Sequence, residues 1–138
     1  MVLSCHDRQV VNPYVTQDSP TDAYIRMDGQ EVYRFATRQV PACIQTALNQ
    51  IQWTADDIDM YILHQANIRI IEAVAKRLKV DIDKFAVNVD RVGNMSSATV
   101  PVLLDELNRS GRLTPGMRIA MSGFGAGLTY GACVLIWG

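Results

Sequence analysis

The 138-residue sequence is short of several things, and each shortage removes a class of function. It holds only two histidines, His6 and His64, too few for a histidine-rich metal cluster, so no metal site is expected. The three cysteines, Cys5, Cys43 and Cys133, are odd in number and irregularly spaced. A disulfide framework is therefore not supported, and reduced thiols in the cytoplasm are the better reading. Neither sign of charge dominates: 13 basic against 14 acidic residues leave a formal net charge of -1. Such a balance gives no general attraction for nucleic acid or an anionic membrane surface. No apolar run reaches the ~18 residues of a membrane span. The opening Met1-Val2-Leu3-Ser4-Cys5-His6-Asp7 has no basic leader before a long apolar stretch, so a secretory signal is not expected. What is present is 49% hydrophobic residues, in a length that suits one soluble α/β domain with a core of its own.

Residues 1–28 carry Asn12-Pro13, Ser19-Pro20 and Asp28-Gly29 with few periodic apolar positions, and read as an extended lead-in with turns. Residues 29–138 read as the folded unit. From Glu31, the residues Val32, Ala36, Val40, Cys43 and Ala47 recur at helical steps, predicting a long amphipathic helix kinked at Pro41. Thr54 with Asp57 resembles a capping box on a short turn. Asp59 to Leu63 predicts a buried strand ending at His64, and a second helix is expected from about Asn67 to Lys79 with Ile70, Ile71, Val74 and Leu78 inward. Phe85 to Val89 is a further strand candidate. A third helix is predicted from about Ser97 to Asn108, with Pro101 in its first turns and Gly111 ending it. Two last strands, Met117–Met121 and Tyr130–Trp137, flank the glycine-rich turn from Ser122 to Gly127. Strands alternating with helices and then a closing hairpin argue for a layered α/β sheet.

Three places in this pattern can carry chemistry. His64 stands where a buried strand passes into a helix, the usual position for ligand contacts in α/β sheets, although a histidine there can simply close the strand. Gly93-Asn94 precedes a helix; its amide is either a turn residue or a donor into a pocket. Gly-Phe-Gly-Ala-Gly at 123–127 is not a dinucleotide fingerprint, because a strand follows it where a helix is required. It is either a tight hairpin or a place where small residues free a backbone N–H for an anionic oxygen. Cys5-His6 lacks a third group to orient the imidazole, and Cys43 and Cys133 read as packing residues.

Together, His64-Gln65-Ala66-Asn67-Ile68-Arg69, Gly93-Asn94-Met95-Ser96-Ser97-Ala98 and Gly123-Phe124-Gly125-Ala126-Gly127-Leu128-Thr129-Tyr130-Gly131 resemble β-ketoacyl-acyl-carrier-protein synthase III, of the thiolase-like superfamily. The resemblance begins near Met27 and runs to the end of the sequence, and it covers the C-terminal half of that enzyme. It implies a thiolase-like layered fold, a mixed sheet covered by helices. The activity it implies is a decarboxylative Claisen condensation of acyl-CoA with malonyl-acyl-carrier-protein, both substrates, with no cofactor. By the same resemblance His64 and Asn94 are the catalytic donors to the malonyl thioester carbonyl. Gln65, Ala66, Asn67, Ile68 and Arg69 form the carrier-protein-binding segment, with Arg69 as the electrostatic contact. Phe124, Gly125, Ala126 and Gly127 line the pocket, Ala126 supplying an oxyanion-hole N–H. The family's nucleophilic cysteine lies in the N-terminal half, and none of the three cysteines has its setting, so the chain alone is expected to be inactive. Expected partners are acyl carrier protein, the N-terminal half and a second copy of the complete enzyme. Two other readings are a non-catalytic carrier-docking module and, because Asn-Met-Ser-Ser-Ala is also reminiscent of them, a fragment of a chalcone-synthase-like polyketide enzyme.

Overall fold

A computed structural model describes residues 2–5 and 25–138. The expected turns at Asn12-Pro13 and Ser19-Pro20 lie outside these residues, as do His6 and the side chain of Cys5. The chain order is β1 (Leu3–Cys5), β2 (Ile25–Met27), α1 (Gly29–Gln50), β3 (Met60–Leu63), α2 (Ile68–Leu78), α3 (Val89–Val92), α4 (Thr99–Arg109), β4 (Arg118–Gly125) and β5 (Thr129–Ile136). β1 and β2 form a small antiparallel pair, with Leu3 opposite Met27. The main sheet runs β3-β4-β5. β3 is parallel to β4, Met60 opposite Ile119, and β4 is antiparallel to β5, Arg118 opposite Ile136.

The sheet is the middle layer of three. All four residues of β3 are buried, as a strand covered on both faces must be. The two-residue side-chain period of a strand then divides them between two cores. Tyr61 and Leu63 pack with Ala36, Val40, Ile44 and Leu48 of α1 and with Ile70, Ile71 and Val74 of α2. Met60 and Ile62 pack on the opposite face with Leu103 and Leu107 of α4. This is the mixed sheet flanked by helices that the resemblance implied.

Local chemistry explains most element ends. Asp28 caps α1, its Oδ1 accepting from the N–H groups of Gln30 and Glu31 at 3.0 and 3.1 Å. Pro41 is buried inside the helix, which is continuous from Gly29 to Gln50. The inward stripe of α1 differs at its C-terminal end from the one expected: Ile44 and Leu48 are fully buried, whereas Cys43 and Ala47 are half-buried, because the bulkier aliphatics take the core-facing positions. The carboxylate of Asp57 accepts from both the N–H and the hydroxyl of Thr54, as the capping motif suggested. These bonds, the backbone one foremost, hold the Asp57 pKa below the usual carboxylate value.

Three expectations need correction. Phe85–Val89 is not a ladder strand; it makes one parallel bridge, Tyr61 to Phe85, and then gives way to α3, which the sequence reading missed. The glycine-rich stretch is not mainly a turn. β4 continues through Gly125, with Gly123 paired to Gly131, and only residues 126–128 turn the chain. Cys133, expected to pack, is exposed on β5.

Candidate functional site

The two motif residues with the clearest chemistry meet at one end of the sheet. His64 follows directly on β3, and its backbone N–H donates to the Ser122 carbonyl at 2.8 Å, which fixes the residue against β4. Its ring is half-buried and meets Phe124 edge-to-face, with centroids 5.1 Å apart and planes at 79°. Burial lowers the His64 pKa, so the ring is neutral at pH 7. Nδ1 is hydrogen-bonded to the Thr99 hydroxyl at the start of α4. Nε2 makes no hydrogen bond among the described residues.

Asn94 comes from the loop between α3 and α4. Gly93 ends α3 at φ +69°, a conformation that glycine adopts without steric cost and that turns the chain sharply toward the site. The Oδ1 of Asn94 accepts the Ser96 N–H at 2.9 Å. That bond fixes the amide's orientation, because only the oxygen can accept, and it leaves the Nδ2 donors without a partner among the described residues.

His64 and Asn94 line the same cleft, of about 1110 Å³, together with Phe124, Gly125 and Ala126 of the hairpin. Ala66, Asn67 and Arg69 line it from the start of α2. Ile68 and Gly127 do not line it. Ile68 is exposed nearby, and Gly127 shapes the hairpin at φ +135°, where a Cβ would sit 2.8 Å from the Thr129 methyl. Neither Cys43 nor Cys133 lines the cleft.

Gln65 differs from its sequence assignment. It is fully buried, so its side chain does not face a docking partner. Its amide donates to the Leu63 and Ala86 carbonyls at 2.8 and 3.3 Å, and its Oε1 accepts the Asn88 N–H at 3.1 Å. The side chain thus does what a strand backbone would do, tying the 86–88 segment to the end of β3 where the ladder has stopped. The tie continues outward: Asn88 Nδ2 donates to Glu106 at 2.9 Å, and Glu106 pairs with Arg91. Hydrogen bonds from Asn88 and then Arg91 lower the Glu106 pKa. Asn67 caps α2 by accepting the Arg69 N–H at 2.9 Å. Arg69 is exposed, and its guanidinium makes no ion pair among the described residues. Sequence reasoning missed Thr99 and the internal role of Gln65; both depend on contacts between distant segments.

Two neutral hydrogen-bonding side chains lining one cleft beside a glycine-rich strand form a site suited to a developing oxyanion. Residues 48–137 match the family described as 3-oxoacyl-[acyl-carrier-protein (ACP)] synthase III, C terminal. The chain belongs to that family. It is 49% identical over 113 residues to β-ketoacyl-[acyl-carrier-protein] synthase III of Porphyra umbilicalis, covering 82% of this chain and 35% of that protein. With the Clostridium novyi (strain NT) protein of the same name it shares 44% over 135 residues, 98% of this chain and 42% of the other. Among solved structures, synthase III of Thermus thermophilus superposes with a TM-score of 0.85 at 38% identity, over 99% of this chain and 41% of that one. The priming β-ketosynthase of the R1128 polyketide pathway gives a TM-score of 0.74 at 39% identity, over 81% of this chain and 34% of that one. The chain therefore corresponds to the C-terminal portion of a thiolase-like synthase III and spans well under half the length of these relatives.

Proposed function

We propose that the chain supplies the decarboxylating donors of a decarboxylative Claisen condensation. The observation that carries this reading is the convergence of His64 and Asn94 on one cleft, each with its remaining hydrogen-bond partner already assigned. In the reaction, the malonyl thioester loses carbon dioxide, and the electron pair of the broken C–C bond becomes an enolate. The enolate oxygen accepts from Asn94 Nδ2–H and from His64 Nε2–H. Each such fixed donor lowers the barrier by roughly 3 to 4 kcal/mol, because it needs no reorganisation when the charge develops. The carbanion carbon then attacks the carbonyl of an acyl thioester and expels a thiolate. No cysteine lines the cleft among the described residues, and the proposal assigns that thioester to the N-terminal portion of the complete enzyme.

Malonyl-acyl-carrier-protein is the proposed substrate, and Arg69 its proposed contact. Its exposed guanidinium lies in the first turn of α2, where no acidic residue offsets the positive end of the helix dipole. Two positive features at one cleft wall suit the phosphate of a carrier's prosthetic arm. Ala126 is the proposed backbone oxyanion donor. Assembly with the N-terminal half, as a homodimer in the cytoplasm, completes the proposal; Cys43 and Cys133, both free thiols, suit that compartment.

The test is complementation. The chain is combined with the cysteine-bearing N-terminal half of a synthase III and given acetyl-CoA and malonyl-acyl-carrier-protein. Condensation is expected from the pair and not from the chain alone. A pair that folds and associates but turns over equally well with His64→Ala or Asn94→Ala would defeat the assigned roles. The exposure of Arg69 supports a second reading, a docking module without turnover, which predicts carrier binding and no condensation in any combination.

A further inference from the structure

We propose that Thr99 is the positioning residue that sets the tautomer of His64, donating its hydroxyl proton to Nδ1 so that Nε2–H points into the cleft. The inference rests on the donor role of His64 proposed above and deepens it.

One proton decides the tautomer. Thr99 is fully buried, and its Oγ1 lies within hydrogen-bond distance of two groups, His64 Nδ1 and the Ser96 carbonyl, the latter at 3.1 Å. A hydroxyl has a single proton to give. If Ser96 took it, the imidazole would have to protonate Nδ1 to keep its bond to Oγ1. Nε2 would then be a bare lone pair, facing the enolate oxygen as a second acceptor. If Nδ1 takes it, Nε2 carries the ring proton and can donate.

The surroundings decide between the two. The Ser96 carbonyl already accepts the backbone N–H of Thr99 itself, so it is satisfied without the hydroxyl. Among the described residues, Nδ1 has no partner other than Thr99. Burial keeps the ring neutral, so one nitrogen carries the proton and the other does not. Thr99 lies 35 residues along the chain from His64, on the helix that follows the Asn94 loop, and so it also ties the two donor-bearing segments together.

The test reads the ring directly in the full 138-residue chain, with no substrate. Histidine is labelled with 15N in the imidazole, and the His64 resonances are assigned by their loss in His64→Gln. The expected result is a ring protonated at Nε2. Thr99→Val, which keeps the shape and removes the hydroxyl, should lose that preference and bring up the Nδ1–H form; Thr99→Ser should restore it. A ring protonated at Nδ1 in the unsubstituted chain, or a tautomer unchanged in a folded Thr99→Val, would overturn the proposal. Should Thr99→Val not fold, the unsubstituted chain and Thr99→Ser still decide: Nε2–H in both supports it, and Nδ1–H in either overturns it. An Nε2–H ring in an assembly that does not decarboxylate counts against the donor role of His64 and leaves the Thr99 assignment standing.

Discussion

Truncating Gln65 to alanine should unfold the site before it touches any partner. The side chain is fully buried, and beside its bond to the Leu63 carbonyl its amide bonds two backbone groups of the 86–88 segment, the Ala86 carbonyl and the Asn88 N–H. A buried polar group left without a partner costs about 1–3 kcal/mol. The 3.3 Å bond to Ala86 belongs at the low end of that range and the 3.1 Å bond from Asn88 nearer its middle. The sum is about 2–4 kcal/mol, equivalent to a fall in Tm of about 10 °C for a domain of this size. Circular-dichroism melts of the chain, with urea titrations beside them, read this directly. The comparison variant is Arg69→Ala, four residues away but exposed, which should stay within about 0.5 kcal/mol of the unsubstituted chain. If Gln65→Ala matched Arg69→Ala in both measurements, the internal role of Gln65 would be refuted.

Other outcomes follow from the same geometry. The His64 pKa is lowered in the fold, so the unfolded chain binds its proton first as the pH falls below about 6.5. Stability should therefore decline between that pH and the lower folded pKa, and His64→Gln should flatten the decline in Tm-against-pH curves. Asn67→Ala removes the cap of α2 and should cost about 1 kcal/mol by urea midpoint, with no change in the β-sheet signal. Arg69→Glu should weaken binding to acyl carrier protein and reduce its salt dependence, both readable by titration calorimetry; unchanged affinity would remove Arg69 from the docking face.

Helices were legible where burial follows period. In α2 the residues Ile70, Ile71 and Val74 turned inward as expected, and Asn67 and Lys79 stand just outside its ends. The capping pair Thr54 and Asp57 was legible for the same reason: its chemistry is local. Errors arose where distant segments decide. Phe85 to Val89 has strand composition, but Gln65 fills the place of its neighbouring strand with one side chain. The glycines at 123 and 125 look like turn residues until β5 pairs with them through Thr129 and Gly131. Motif residues marked the cleft, since His64, Asn94 and Phe124 all line it. What motif spacing does not contain is direction: Gln65 turns inward while Arg69 turns out, and Thr99 reaches His64 only because α4 packs across the sheet end.

The central claim is that His64 and Asn94 act on one developing charge. The most direct measurement is the rate of carbon dioxide release from malonyl-acyl-carrier-protein by the complemented assembly, taken for His64→Ala, Asn94→Ala and the double variant. Each single variant should lose about 100- to 1000-fold, the cost of one oxyanion donor. The double variant should lose less than the product of the two, because the donors serve the same oxygen. Decarboxylation within a few-fold of the unsubstituted rate in either single variant, with the assembly intact, would contradict the account.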